Sequence, residues 1–429
     1  MTSRDTDGLS LDQAPPLSVV FPFFGLASIA IVVAGAVVAA EGRAVLLEPL
    51  MPATLGLTHI VTLGFLLTTM MGALYQMIPV VIGVRVPGIP LAHVVWLGSA
   101  VGLFSLAVGL GTATPVLVSR AVWFLGPTLA LFLVPTGWAV FRAPILTETA
   151  HGIRYALLCL LGAVFLGVWM ARGHMGASFP GDRWLFIRAH FALALLGWVG
   201  SLIVAVSWQV VPMFYLARET PVWQRRVILG ALVLGTAPLP VLPWLDPSWA
   251  NVLVVWSPAP AVFALFVLHP IVSLVGIRRR RRKRAHASLV FWKAGLCTAP
   301  LVAIAGLLAA LLDAPRWDLL HGFLALWAWA GVIVHGMLSR IVPFLVWFHR
   351  FSPLAGIVPI PSMNDLLPQR WTQVALALHL ASVAAGVAAI LTRVDLVVRA
   401  AGVLVALTGL ALAAMIVHVT RQRPAPASA

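Results

Sequence analysis

Charge is what this 429-residue chain has least of: only 10% of its residues are Asp, Glu, Lys or Arg. A soluble globular domain carries about 25%. The thirteen carboxylates all fall in loops, tails or the ends of apolar runs, among them Glu41, Glu48, Asp182, Glu219, Asp246, Asp313, Asp318, Asp365 and Asp395. No acidic relay crosses an apolar stretch, which argues against proton pumping. There are two cysteines, Cys159 and Cys297, both inside apolar runs. They read as small core residues and exclude a disulfide framework. No Gly-rich phosphate loop, no Cys pairs spaced for zinc and no nucleophile triad occur. What the chain has instead is apolar surface: 61% hydrophobic residues and a mean hydropathy of +1.01. No soluble fold hides that much, so the solvent is lipid.

The polar stretch before Pro15 holds Asp5, Asp7 and Asp12 and lacks the basic start of a cleaved signal peptide. The first apolar run therefore reads as a retained helix. About twelve spans follow, at roughly 18–40, 58–83, 90–112, 119–141, 151–171, 188–214, 226–245, 251–277, 288–312, 318–346, 371–392 and 395–420. Each approximates the ~20 residues that cross a bilayer. The net charge of +15 sits in the short loops between them, which is a topology signal and no nucleic-acid signature. Arg218, Arg225 and Arg226 follow the sixth span, Arg278 to Arg284 the eighth, Arg350 and Arg370 the tenth, Arg421 and Arg423 the twelfth. The positive-inside rule puts these loops and both termini in the cytoplasm, as in a multi-pass protein of a bacterial-type inner membrane. The run Arg278 to Arg284 fixes topology, with anionic head groups as its alternative partner.

Three segments resemble one another: THIVTLGFLLTTMMGALYQMIPVV from Thr58, AHFALALLGWVGSLIVAVSWQVVPMF from Ala189, and LHGFLALWAWAGVIVHGMLSRIVPFL from Leu320. Each opens on a histidine and closes on a polar residue three positions before a proline. The histidines His59, His190 and His321 are spaced by 131 residues, and the closing pairs are Gln76/Pro79, Gln209/Pro212 and Arg340/Pro343. The first copy is two residues shorter between histidine and proline. The chain thus reads as one transmembrane domain of three four-helix units, roughly 18–141, 151–277 and 288–420, with polar tails at 1–15 and 421–429. Function in such proteins tends to lie between repeats. Three imidazoles at one level, facing a shared interior, suit metal or heme ligation. The plain alternative for each is a capping or interfacial histidine.

This pattern resembles the heme-copper oxidase subunit I superfamily, including cb-type oxidases and nitric oxide reductases, and the NnrS-type membrane proteins. The resemblance covers the whole chain as architecture and the three histidine helices as motif. It implies an all-α membrane fold of twelve helices in three pseudo-symmetric sets. It implies a b-type heme between His59 and His321, and it sets His190 where the family ligates copper. It also sets Arg393 and Arg399 where the oxidases hold heme propionates, a task suited to forked guanidinium donors, with snorkelling to the interface as the alternative role. Two departures stand out. The seventh span, VILGALVLGTAPLPVLPWL, holds no histidine, and Phe323 stands where the oxidases place a second tenth-helix histidine. The implied function is electron transfer or nitrogen-oxide handling by a heme protein without a complete copper site. A cytochrome c or quinol donor, other membrane subunits and the lipid bilayer are the implied partners. The alternatives are a divergent oxidase or nitric oxide reductase subunit, which is an oxidoreductase proper, and a cofactor-free transporter.

His335 lies fourteen residues after His321, about 21 Å along a helix, so it cannot share that metal. It is a candidate for a second site, with His379 or His418, or a packed polar residue. His269, before Pro270, reads as structural, and Met70, Met71 and Met77 as packing residues before thioether ligands. Arg340 suits snorkelling or carbonyl capping. The loop from Trp347 to Trp371 reads as an ordered cap or a partner contact.

Overall fold

The computed structural model describes residues 13–144, 146–179, 181–281 and 286–424. The N-terminal acidic tail and the end of the basic run, Arg282 to Arg284, lie outside the described residues. Among the described residues all regular structure is helical. We name the helices α1 (Leu17–Leu46), α2 (Pro52–Ile82), α3 (Leu91–Gly111), α4 (Pro115–Phe141), α5 (Glu148–His174), α6 (Arg183–Tyr215), α7 (Val222–Thr236), α8 (Pro247–Arg278), α9 (Ala287–Leu311), α10 (Pro315–Leu354), α11 (Gln369–Thr392) and α12 (Asp395–Arg421). Among the described residues eleven are long and apolar enough to cross a membrane. The exception is α7, expected to run to residue 245. It stops at Thr236 after fifteen residues, because Pro238, Pro240 and Pro243 withhold the N–H groups a helix needs. Fifteen residues span about 22 Å, short of the ~30 Å hydrocarbon core.

The outward faces are apolar: Ile29, Phe104, Trp123, Val134, Leu234 and Leu396 are each more than half exposed. Such surface is stable only against lipid, so the protein is a multi-pass membrane protein. Burial sorts the spans. The central windows of α2, α6 and α10 are 72–83% buried, and those of the other eight spans 28–44%. The three histidine helices are therefore the inner ones.

The chain divides into two compact units. Among the described residues one holds Met70–Arg281 with residues 13–15, and the other joins Pro16–Thr69 to residues 286–424. This division cuts across the three units expected from the repeats, and the boundary falls inside α2. In the first unit α3 packs on α4, α5 on α6, and α7 on α8. In the second, α1 packs along α12, α12 on α11, and α9 on α10. Lipid tails are as apolar as leucine, so packing within a bilayer depends on close fit rather than on expelling water. The α1–α12 seam shows this. A Cβ on Gly35 would strike the backbone of Ala406, one on Gly402 would strike Ala39, and one on Gly409 would come within 2.7 Å of the Val32 nitrogen. The seam is closed at one end by Arg399. Its Nη1 donates to the carbonyls of Ala39 and Ala40 at 2.8 and 2.7 Å, and its Nε donates to Asp395 at 2.6 Å.

At the start of α9, His286 serves as N-cap. Its Nδ1 accepts from the N–H of Ser288 at 3.2 Å, so the ring is held neutral with its proton on Nε2. Burial and the positive charge of Arg340 push this imidazole down to about 4.

Two outcomes follow from this architecture. Gly402→Leu forces α1 and α12 apart and costs about 1–3 kcal/mol or more, measurable as a lower unfolding midpoint in detergent; Gly111→Leu, where a Cβ meets open space, leaves it unchanged. His286 has a folded pKa below its unfolded value, so its contribution is full above about pH 6.5 and is lost as pH falls toward 4. A melting-temperature profile between those limits should slope downward for the native chain and flatten in His286→Asn, which keeps a capping oxygen and cannot titrate.

Candidate functional site

Each inner helix changes its winding at the same register. A π-helical stretch of eight residues interrupts it: Ile60–Leu67 in α2, Leu193–Gly200 in α6, Leu324–Gly331 in α10. Each stretch ends twelve residues before the proline, Pro79, Pro212 or Pro343. Long π stretches are rare and concentrate at functional sites. They also explain the two-residue difference between copies. His190 and His321 stand three residues before their π stretch, whereas His59 stands immediately before it. Two residues turn an α-helix by about 200°. Counted from the π stretch, the third-copy counterpart of His59 is Phe323, whose ring sits in the notch left by Gly386 of α11.

The ring contacts follow this register. His190 Nδ1 lies 2.8 Å from the carbonyl of Ala163 on α5, and His321 Nδ1 lies 3.0 Å from that of Val302 on α9. In both cases a glycine stands four residues after the carbonyl. A Cβ on Gly167 would fall 3.1 Å from the His190 Cε1, and one on Gly306 would fall 2.9 Å from that of His321. A helix turn with a carbonyl below and no side chain above is the seat for each imidazole. His59 differs: its Nδ1 bonds to Leu55 of its own helix at 2.8 Å. The expectation of three equivalent imidazoles thus narrows to two alike and one turned.

A carbonyl only accepts, so in all three rings Nδ1 carries the hydrogen and Nε2 the lone pair. This is how proteins prepare histidine as a ligand to iron or zinc: the far N–H is tied to a carbonyl and the near nitrogen is turned to the metal. His59 and His321 therefore each present a neutral imidazole with its lone pair on Nε2. The two also belong to one compact unit. Six residues beyond each, Phe65 and Trp327 meet edge to face with centroids 6.1 Å apart, so α2 and α10 pack at a level equally spaced from both histidines. His190 belongs to the other unit. Among the described residues no three His, Cys, Asp or Glu side chains group closely enough to hold a metal ion by themselves.

The remaining candidates divide by partner. Arg399 is committed to Asp395 and to the end of α1, as described above. Arg393 ends α11 in a left-handed conformation, φ 55°, with its side chain exposed. His335 pairs with His379, their Nδ1 atoms 2.9 Å apart, while His418 stacks on Trp371 instead. His269 is buried against Ser207 at 3.2 Å. Met70 and Met71 are buried in packing positions. Cys159 is buried, and Cys297 is exposed on α9 rather than in the core. Arg340 bonds to Asn364 at 3.1 Å, and Trp347 to the Pro361 carbonyl at 2.9 Å, so the loop after α10 folds back on its own helix as an ordered cap.

Sequence reasoning missed the π stretches and the glycine seats. The signal for the first was the two-residue gap itself, which falls between histidine and π stretch. Gly167 and Gly306 gave none, since each lies in a helix with no motif of its own. No protein-family model matches this chain, and no curated protein matches it.

The seats are testable. Gly306→Ala places a methyl against the His321 ring, breaks the bond to Val302, and lowers stability by about 1–3 kcal/mol. Imidazole ¹⁵N spectra should show the His321 Nδ1–H signal move, while Gly322→Ala, whose Cβ meets nothing within 4 Å, leaves it in place.

Proposed function

We propose that the protein is a heme-binding membrane protein of oxidase-like fold, with His59 and His321 as axial ligands of a b-type heme and a role in electron transfer or nitrogen-oxide handling. The observation that carries this reading is the tautomer lock. Both rings give their Nδ1–H to a main-chain carbonyl, which leaves Nε2 as the nitrogen able to ligate. Their membership of one unit and their equal spacing from the Phe65–Trp327 contact support the pairing.

A heme held by His59 and His321 would supply one-electron transfer when bound. The chain's part is to hold the two imidazoles neutral and oriented and to keep water out with the inner helices. Gly306 lets His321 lie close against α9. His190, seated in the same way on Gly167, offers a third neutral imidazole in the other unit. The arginine-rich loops support an orientation with both termini in the cytoplasm of a bacterial-type inner membrane. A cytochrome c or a quinol is the class of donor this role requires.

The test is a reduced-minus-oxidised spectrum of protein purified after heme-replete expression. The native chain should show a Soret and an α band. His321→Ala and His59→Ala should each lose them or convert them to a high-spin form, and His190→Ala should leave the low-spin bands unchanged. Absence of any Soret band in the native chain overturns the reading and favours a transporter.

A further inference from the structure

Midway along α10 and α11 two imidazoles meet with no accessible surface on either. His335 and His379 approach through their Nδ1 atoms at 2.9 Å. His379 donates its Nε2–H to the main-chain oxygen of Trp327 at 3.3 Å, so its Nδ1 carries a lone pair, and that lone pair faces His335. The ring is fixed in this pose. It lies on the indole of Trp327, with centroids 4.3 Å apart and planes at 18°. The indole N–H donates to Ser382 at 2.9 Å, and the Ser382 hydroxyl donates to the carbonyl of His379 at 2.6 Å. A closed loop of four contacts thus orients one imidazole for ligation.

The other nitrogen of His335, Nε2, is buried with no hydrogen-bond partner among the described residues. The His335 ring packs against Phe291, centroids 4.9 Å apart. An aromatic face accepts an N–H weakly and offers a lone pair nothing. With its hydrogen on Nδ1, His335 donates to His379; with the hydrogen moved to the unpartnered Nε2, His335 presents a second lone pair to its neighbour. In that second tautomer the two lone pairs repel unless a cation lies between them, so a bound cation takes the place of the bridging hydrogen while that hydrogen moves to Nε2 of His335.

We propose that His335 and His379 form a binding site for a single Cu⁺ ion, held between their two Nδ1 atoms. The site selects charge and coordination number together. The cost of burying an ion rises steeply with its charge, which disfavours divalent metals in a dry, neutral pocket. Zinc also wants four ligands, and no third His, Cys, Asp or Glu is grouped with the pair among the described residues. Cu⁺ is monovalent, accepts two neutral imidazoles in line, and tolerates the aromatic walls that Trp327 and Phe291 provide. Bonds of about 2 Å set the nitrogens about 4 Å apart, so the rings part by about 1 Å. This site is separate from His59 and His321 and does not depend on heme.

The experiment is copper retention by the full chain, purified in detergent, treated anaerobically with Cu⁺ and ascorbate, desalted and measured for copper per chain. The native protein should retain one copper more than His335→Gln or His379→Gln, with His418→Gln behaving as native. X-ray absorption should show two nitrogen ligands to reduced copper. If the glutamine variants do not fold, Ser382→Ala, which releases the Trp327 indole and the His379 carbonyl and leaves both imidazoles in place, should weaken Cu⁺ binding at least tenfold. Equal copper in native and variant proteins overturns the proposal. So does an imidazole ¹⁵N spectrum, recorded with Cu⁺ present, in which one hydrogen is still shared between the two Nδ1 atoms.

Discussion

In hydrocarbon a main-chain carbonyl has no water to bond, and every donor and acceptor must be met within the protein. The inner helices of this chain turn that constraint into a positioning device. Side-chain donors reach across to carbonyls of neighbouring helices, and several of these donors are imidazoles. His321 reaches Val302, His190 reaches Ala163, and His379 reaches Trp327. Each such bond fixes a tautomer, because the acceptor cannot donate in return. A histidine placed to satisfy a carbonyl is thereby also a histidine with a lone pair aimed elsewhere.

The π stretches are the backbone counterpart. In α10 the Trp327 oxygen accepts from the N–H of Val332, five residues on, and also from His379. The next oxygen, that of Ala328, accepts from Thr298 of α9 at 2.7 Å. Donors from both neighbouring helices thus hold the widened turn. The same eight-residue stretch recurs in α2 and α6 at the same distance from a proline, and α8 carries a shorter one at Ala264–Leu268.

Much of this was legible in the residues. Charge depletion and the run lengths fixed a lipid-embedded helical bundle, and the period of 131 residues singled out the three helices that prove to be the inner ones. The two-residue gap was visible too, though its meaning was not, because an insertion in a helix changes the facing of a side chain without changing its neighbours in sequence. The α7 boundary was misread for a simpler reason: its apolar composition continues through three prolines that end the helix. The assignment of Arg399 to a propionate rested on placement near a helix end. The structure uses that same placement to clamp α1 to α12.

The sequence by itself determined the solvent, the helical class, the repeated histidines and the prolines that close each copy, because hydrophobicity and spacing are properties of the chain. Tertiary structure alone decided which carbonyl each imidazole meets, that Gly306 and Gly167 are seats, and that His335 finds His379 rather than His418. Those outcomes depend on helices that are distant in sequence and adjacent in space. A glycine becomes a seat for an imidazole only when another helix brings the ring against it.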